Sequence, residues 1–145
     1  MSKLSMIFDR LTASIVPGMI CDGNRRILFI NRAFLEMCGH EEGDLLGKTP
    51  GRLLQGPESD VDTKDKVKKN LEIAVPFDFS ITNYRKDGSN FFAGIFVNPF
   101  VEGSDSSGYF VGVGCELEQL EDSPVKTGPS EFRRAARNIL QLVHG

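Results

Sequence analysis

Residues 77–97 read FDFSITNYRKDGSNFFAGIFV. Phe77, Phe79 and Ile81 alternate with Asp78, Ser80 and Thr82, the period-2 signature of a half-buried strand. Lys86-Asp87-Gly88 supplies a tight turn, and Phe91 to Val97 is apolar on both faces. A strand, a tight turn and a second strand make a hairpin, so the sheet they belong to is antiparallel. Downstream, Gly103 to Gly108 is a polar loop and Tyr109 to Leu117 reads as the last strand. Upstream, Asp60 caps a helix over Val61 to Ile73. Asp62 lies in its first turn and Lys66, Lys68 and Lys69 lie further on, as the helix dipole favours. Its apolar stripe (Val61, Val67, Leu71) is thin and suits a single packed layer.

Toward the N-terminus, Leu4, Ile7, Phe8 and Leu11 fall at the spacing of an amphipathic helix. Ser14 to Cys21 and Arg26 to Asn31 read as a strand pair joined by the turn Asp22-Gly23-Asn24. Arg32 to Cys38 is a short helix with Phe34, Leu35 and Cys38 inward. His40 to Pro57 is punctuated by glycine and proline and holds only short helical turns. Past the last strand comes a polar linker, then a helix capped at Ser130 whose apolar stripe includes Phe132, Ile139 and Val143. Hairpins with helices between them give an α+β domain with an antiparallel sheet. The expected division is a flanking helix at 1–13, the domain at 14–118, a linker at 119–129 and a C-terminal helix at 130–145.

Composition narrows the function. The 145 residues carry a net charge of −3 and are 40% hydrophobic, the balance of one ordinary globular domain. Three cysteines without CxxC spacing and two histidines argue against a structural zinc site. An odd cysteine count without a signal peptide points to the cytoplasm. No apolar run reaches the roughly 20 residues of a membrane span, and mild acidity gives no sign of a nucleic-acid partner. No nucleophile–base pairing stands out, so the chain is not read as an enzyme.

Three stretches carry a family resemblance. They are Arg52-Leu53-Leu54-Gln55-Gly56-Pro57-Glu58-Ser59-Asp60, Asn83-Tyr84-Arg85-Lys86-Asp87-Gly88 and Phe110-Val111-Gly112-Val113. With Asn31-Arg32-Ala33-Phe34 and Gly39-His40-Glu41-Glu42, they resemble a PAS domain of the LOV subgroup, the flavin-binding blue-light sensors. The likeness covers roughly residues 14–118. It implies a PAS fold in which a five-stranded antiparallel sheet forms one wall of a ligand pocket and the helices form the other.

The resemblance also locates departures. LOV photochemistry uses a cysteine thiol that bonds to the excited flavin; Gly51 stands at that position and Pro50 replaces the asparagine before it. Of the residues that hold the flavin's pyrimidine edge, Asn83 is retained, while Ala93 and Gly114 replace an asparagine and a glutamine. At the other end, Arg52 and Lys68 match phosphate-side positions and Gln55 matches the ribityl glutamine. Arg52, Gln55, Lys68 and Asn83 are therefore the candidate positions for flavin mononucleotide (FMN). Two readings of them stay open, as ligand positions or as a hairpin cap, surface charges and a loop tie. Small residues at Ala93 and Gly114 leave volume, to be filled by Phe77, Phe79 and Phe91 or by a ligand. Haem is disfavoured, because Val61 to Ile73 contains no histidine and His40 is expected at the surface.

If Asn83, Ala93 and Gly114 face the pocket, Phe92, Phe96, Val111, Val113 and Cys115 face outward. So large an apolar patch calls for a cover. The flanking helices supply one, either folded back as a lid or paired across a two-fold axis in a homodimer. Residues 131–140 also loosely resemble the phospho-acceptor helix of sensor histidine kinases, with Arg134 where the acceptor histidine would stand. The expected function is a stand-alone PAS sensory domain that signals by dimerisation or by docking to a downstream protein, without adduct chemistry at residue 51. The alternatives are a cysteine-less flavin photosensor acting by photoreduction and a ligand-free dimerisation module.

Overall fold

The computed structural model describes residues 2–103 and 107–117, together with Arg134, Arg137, Asn138 and Gln141, which are helical. The linker expected at 119–129 and most of the C-terminal helix lie outside the described residues. The strands are β1 Gly18–Asp22, β2 Ile27–Ile30, β3 Phe77–Tyr84, β4 Asn90–Glu102 and β5 Ser107–Glu116. They form one five-stranded antiparallel sheet in the order β2-β1-β5-β4-β3. Five helices accompany it within residues 2–103: α1 Lys3–Thr12, α2 Arg32–Cys38, α3 Glu42–Leu45, α4 Pro50–Leu54 and α5 Val61–Ile73. No helix among the described residues is long and apolar enough to cross a membrane.

Local chemistry sets the helix ends. The Asn31 side chain accepts the Phe34 N–H to open α2, and Gly39 closes it at φ 73. Asp60 does the same for α5 by accepting the Thr63 N–H, and the bonds from the Thr63 hydroxyl and N–H hold its carboxyl below the usual range. Asn31 reaches further than a cap. Its Oδ1 also accepts from Gly18 N at 2.9 Å, and its Nδ2 donates to the carbonyls of Leu11 and Val16 at 2.9 Å each. One buried amide thus ties the end of α1, the start of β1 and the start of α2.

Several expected boundaries move. The first strand begins at Gly18, not Ser14: Ile15 is 83% exposed and Pro17 has no N–H to give a ladder. The second contracts to Ile27–Ile30 and the last begins at Ser107 rather than Tyr109. β4 runs through Asn98 and Pro99 to Glu102 instead of ending at Val97. Beyond the pair Phe77–Val97 only β5 flanks it, so Pro99 sits where one edge of the strand is free. His40, expected at the surface, has only 10% of its side chain exposed. The loop that carries it is pinned to the β3–β4 hairpin by a bond from Lys86 N to Cys38 O, 3.1 Å. His40 Nδ1 lies 3.9 Å from Asp44, whose carboxyl is held low by its hydrogen bond to Lys86.

Each sheet face carries its own core. The face toward α2–α5 buries Met19, Cys21, Phe34, Leu45, Leu54, Phe91 and Ala93. The other buries Ile20, Phe100, Val111 and Val113 beneath Ile7 and Leu11 of α1, with Phe96 packed alongside. α1 thus covers the part of the apolar outer face formed by Phe96, Val111 and Val113. A bond from Leu4 N to Glu102 Oε2, 2.7 Å, anchors that helix to the end of β4.

Asn98 breaks the apolar pattern of the outer face. It is fully buried, and neither its amide nitrogen nor its oxygen has a hydrogen-bond partner among the described residues. Each such unpaired group costs about 1–3 kcal/mol. Asn98→Leu, close to isosteric, is expected to stabilise the domain by about that amount in urea unfolding. A destabilised variant would mean that Asn98 has a partner elsewhere.

Candidate functional site

Between the sheet and the helices lies a cavity of about 450 Å³. β1 contributes Met19 and Cys21, β3 contributes Phe77, Phe79, Ile81 and Asn83, and β4 contributes Ile95 and Val97. The opposite wall is Pro50, Gly51, Arg52, Leu54 and Gln55 around α4, and Lys64, Val67, Lys68 and Leu71 on α5. α5 buries none of its side chains fully. Its thin stripe serves as a cavity wall rather than as core. The volume lies within the range of pockets that take nucleotide-sized ligands.

All four candidate positions, Arg52, Gln55, Lys68 and Asn83, line this one cavity, as do Pro50 and Gly51. Asn83 is 4% exposed, and its side chain makes no hydrogen bond among the described residues. A buried amide facing a cavity without a protein partner is what a ligand donor–acceptor edge would satisfy. Gln55 folds back over α4: a Cβ placed on Gly51 would lie 3.1 Å from its Oε1. The loop after α4 is held by Ser59, which accepts from Gly56 N at 3.0 Å and donates to Thr82 O at 2.6 Å.

Ala93 and Gly114 differ from the expectation, because neither lines the cavity. Ala93 is fully buried in the inner core. A Cβ on Gly114 would meet Ile95 Cδ1 at 3.0 Å, so Ile95 takes the space the absent side chain was expected to free. That end of the cavity presents hydrocarbon where the family pattern places amides. Phe77 and Phe79 stack with centroids 5.7 Å apart and line the cavity rather than fill it. Phe91 lies in the core, with the Arg85 guanidinium 4.6 Å over its ring.

Of the cavity residues not singled out from the sequence, three carry a charge or a thiol. Arg25 projects from the β1–β2 turn and Lys64 lies one helical turn before Lys68; both line the cavity. The third is Cys21, whose Sγ lies 3.9 Å from Met19 Sδ. Burial pushes its thiol from 9.0 up to about 12, with the Asp22 carboxylate adding to the effect. Cys38 and Cys115 are also buried and their thiols are likewise raised, chiefly by burial.

A thiol raised on folding stabilises the fold fully below its unfolded value, and that contribution fades as pH climbs toward the folded value. Stability is therefore expected to fall between pH 9 and about 12, by at most about 1.4 kcal/mol per pH unit for Cys21. Cys21→Val is expected to flatten this limb in unfolding titrations.

Comparison with known proteins bears on the cavity. A family model described as PAS domain matches residues 15–116. Blue-light-activated histidine kinase 2 of Erythrobacter litoralis is 28% identical over 137 residues, which cover 94% of this chain and 38% of the kinase. Phototropin-1A of Oryza sativa subsp. japonica is 28% identical over 114 residues, 78% of this chain and 12% of the phototropin. The chain thus spans well under two thirds of the length of either relative. A solved structure from work on a flavin analogue and the light-oxygen-voltage domain mechanism is 27% identical with a TM-score of 0.70. That match covers 94% of this chain and 92% of the other.

Proposed function

The chain belongs to the PAS domain family, with LOV-like sequence, and from that premise we propose that it is a sensory domain holding FMN in the cavity between α4–α5 and the sheet. The observation that carries this reading is Asn83, buried, unpartnered among the described residues, and set in the wall of a cavity that also gathers Gln55, Arg52 and Lys68. These residues fit a ligand with an amide-like edge and an anionic tail. A bound flavin would supply blue-light absorption and the redox chemistry of its ring system. Asn83 would hold the ring edge, Ile95 would exclude water from the side left without amides, and the cations would hold the phosphate.

In this reading light acts through reduction of the flavin and not through a thiol bond at residue 51, because Gly51 offers no sulfur. The domain is non-catalytic and passes its signal through the outer sheet face. There α1 leaves Phe8 43% exposed, a surface that suits a second copy or a downstream protein. The test is illumination of the flavin-loaded chain with a soluble thiol reductant present. Bleaching should persist when Cys21, Cys38 and Cys115 are all replaced by alanine. A response lost in that thiol-free variant, with flavin still bound, refutes photoreduction as its basis. The native mass of the same samples separates a dimer from a monomer that works by docking.

A further inference from the structure

The cavity wall carries more positive charge than the retained family positions account for. Arg52 and Lys68 are joined there by Arg25 and Lys64, and no carboxylate among the described residues lines the cavity, although the chain has a net charge of −3. None of these four cations forms an ion pair among the described residues. Lys64 and Lys68 share one face of α5, while Arg25 comes from the β1–β2 turn.

Arg25 occupies a backbone conformation that argues for a purpose. Its φ is 67°, in the left-handed region where glycine is favoured and an L side chain is strained. The turn is built around Asp22, whose Oδ1 accepts from Asn24 N at 2.8 Å and Arg26 N at 3.0 Å. The Asp22 carbonyl accepts from Arg25 N at 2.9 Å. Glycine at residue 25 would satisfy this turn with less strain, yet the chain places a long cation there and sets it against the cavity.

We propose that Arg25 and Lys64 are anion-binding residues that, with Arg52 and Lys68, hold the phosphate of a phosphorylated ligand and select it over the unphosphorylated form. Arg25 reaches from the sheet side and the lysines from α5, so the bound phosphate links the β1–β2 turn to α5. A guanidinium adds paired donors that a lysine cannot. This inference rests on the flavin reading above.

The test measures the affinity of the full chain for FMN and for riboflavin by quenching of flavin fluorescence. Wild type is expected to prefer FMN. Arg25→Gly and Lys64→Ala should each weaken FMN by about tenfold and leave riboflavin unchanged, as loss of one charge-assisted contact requires. Arg25→Gly should also raise the thermal midpoint of the ligand-free chain, because it relieves the strained φ. A residue with a merely structural role would not improve stability while losing one ligand selectively. Arg25→Lys should recover part of the preference. Equal weakening of FMN and riboflavin, or no change in either, overturns the inference while leaving the flavin reading intact. A wild type that binds neither overturns both.

Discussion

Asn31→Leu is expected to cost at least about 4 kcal/mol, most of the stability of a domain at the low end of the usual range. The side chain makes four hydrogen bonds, to Gly18 N, Phe34 N, Leu11 O and Val16 O, at 2.9 to 3.0 Å. Asn31 itself is 3% exposed, so water cannot replace a leucine's missing polar atoms. Four backbone groups would lose their partner together, each at about 1–3 kcal/mol. Asn31→Asp supplies the control. It keeps an acceptor for Gly18 and Phe34 but loses the amide donors, and should fall between wild type and leucine. Urea unfolding followed by circular dichroism measures both. A leucine variant within about 1 kcal/mol of wild type would show that the three elements hold together without this amide.

Phe34→Ala should be nearly as damaging. Phe34 is 2% exposed, belongs to the inner core and also forms part of the cavity wall. Removing a buried phenyl group costs about 3–5 kcal/mol, the upper part when the walls cannot close in. Here the new space merges with a cavity of about 450 Å³, which favours the upper part. Ligand linkage separates wall from core. FMN at about a hundredfold excess over its Kd should add about 2.7 kcal/mol to wild type, and less to the variant if the phenyl group touches the ring. A loss below about 1 kcal/mol without ligand would contradict this place for Phe34 in the core.

The elements best read from sequence carry their own boundary chemistry. α2 runs from Arg32 to Cys38 as expected because Asn31 and Gly39 mark its ends locally. α5 runs from Val61 to Ile73 because Asp60 caps it. Alternation in Phe77–Thr82 gave β3 its register and its inner face. Tertiary context decided the rest. Ile15 and Val16 look like the start of a strand, but Ile15 is exposed and Val16 packs under α1. Asn98 and Pro99 look like a break, yet β4 continues through them beside β5 alone.

The site divided in the same way. Arg52, Gln55, Lys68 and Asn83 do converge on one cavity, because α4 with its C-cap, α5 and β3, which carry them, keep family spacing. The fate of the small residues was hidden, since only packing reveals that Ile95 occupies the space beside Gly114. Lys64 could have been found from its spacing of four before Lys68, which puts both on one helix face. Arg25 had a fainter signal, a long cation at the turn position where glycine is the ordinary choice. His40 was misplaced because nothing local shows that the β3–β4 hairpin closes over its loop.

The most direct measurement is the visible spectrum and unfolding midpoint of the full chain after equilibration with FMN and removal of the unbound excess. The arrangement of Asn83, Gln55 and the cations around one cavity predicts retained flavin with a visible absorption band and a raised midpoint. A colourless chain whose midpoint does not move would contradict it.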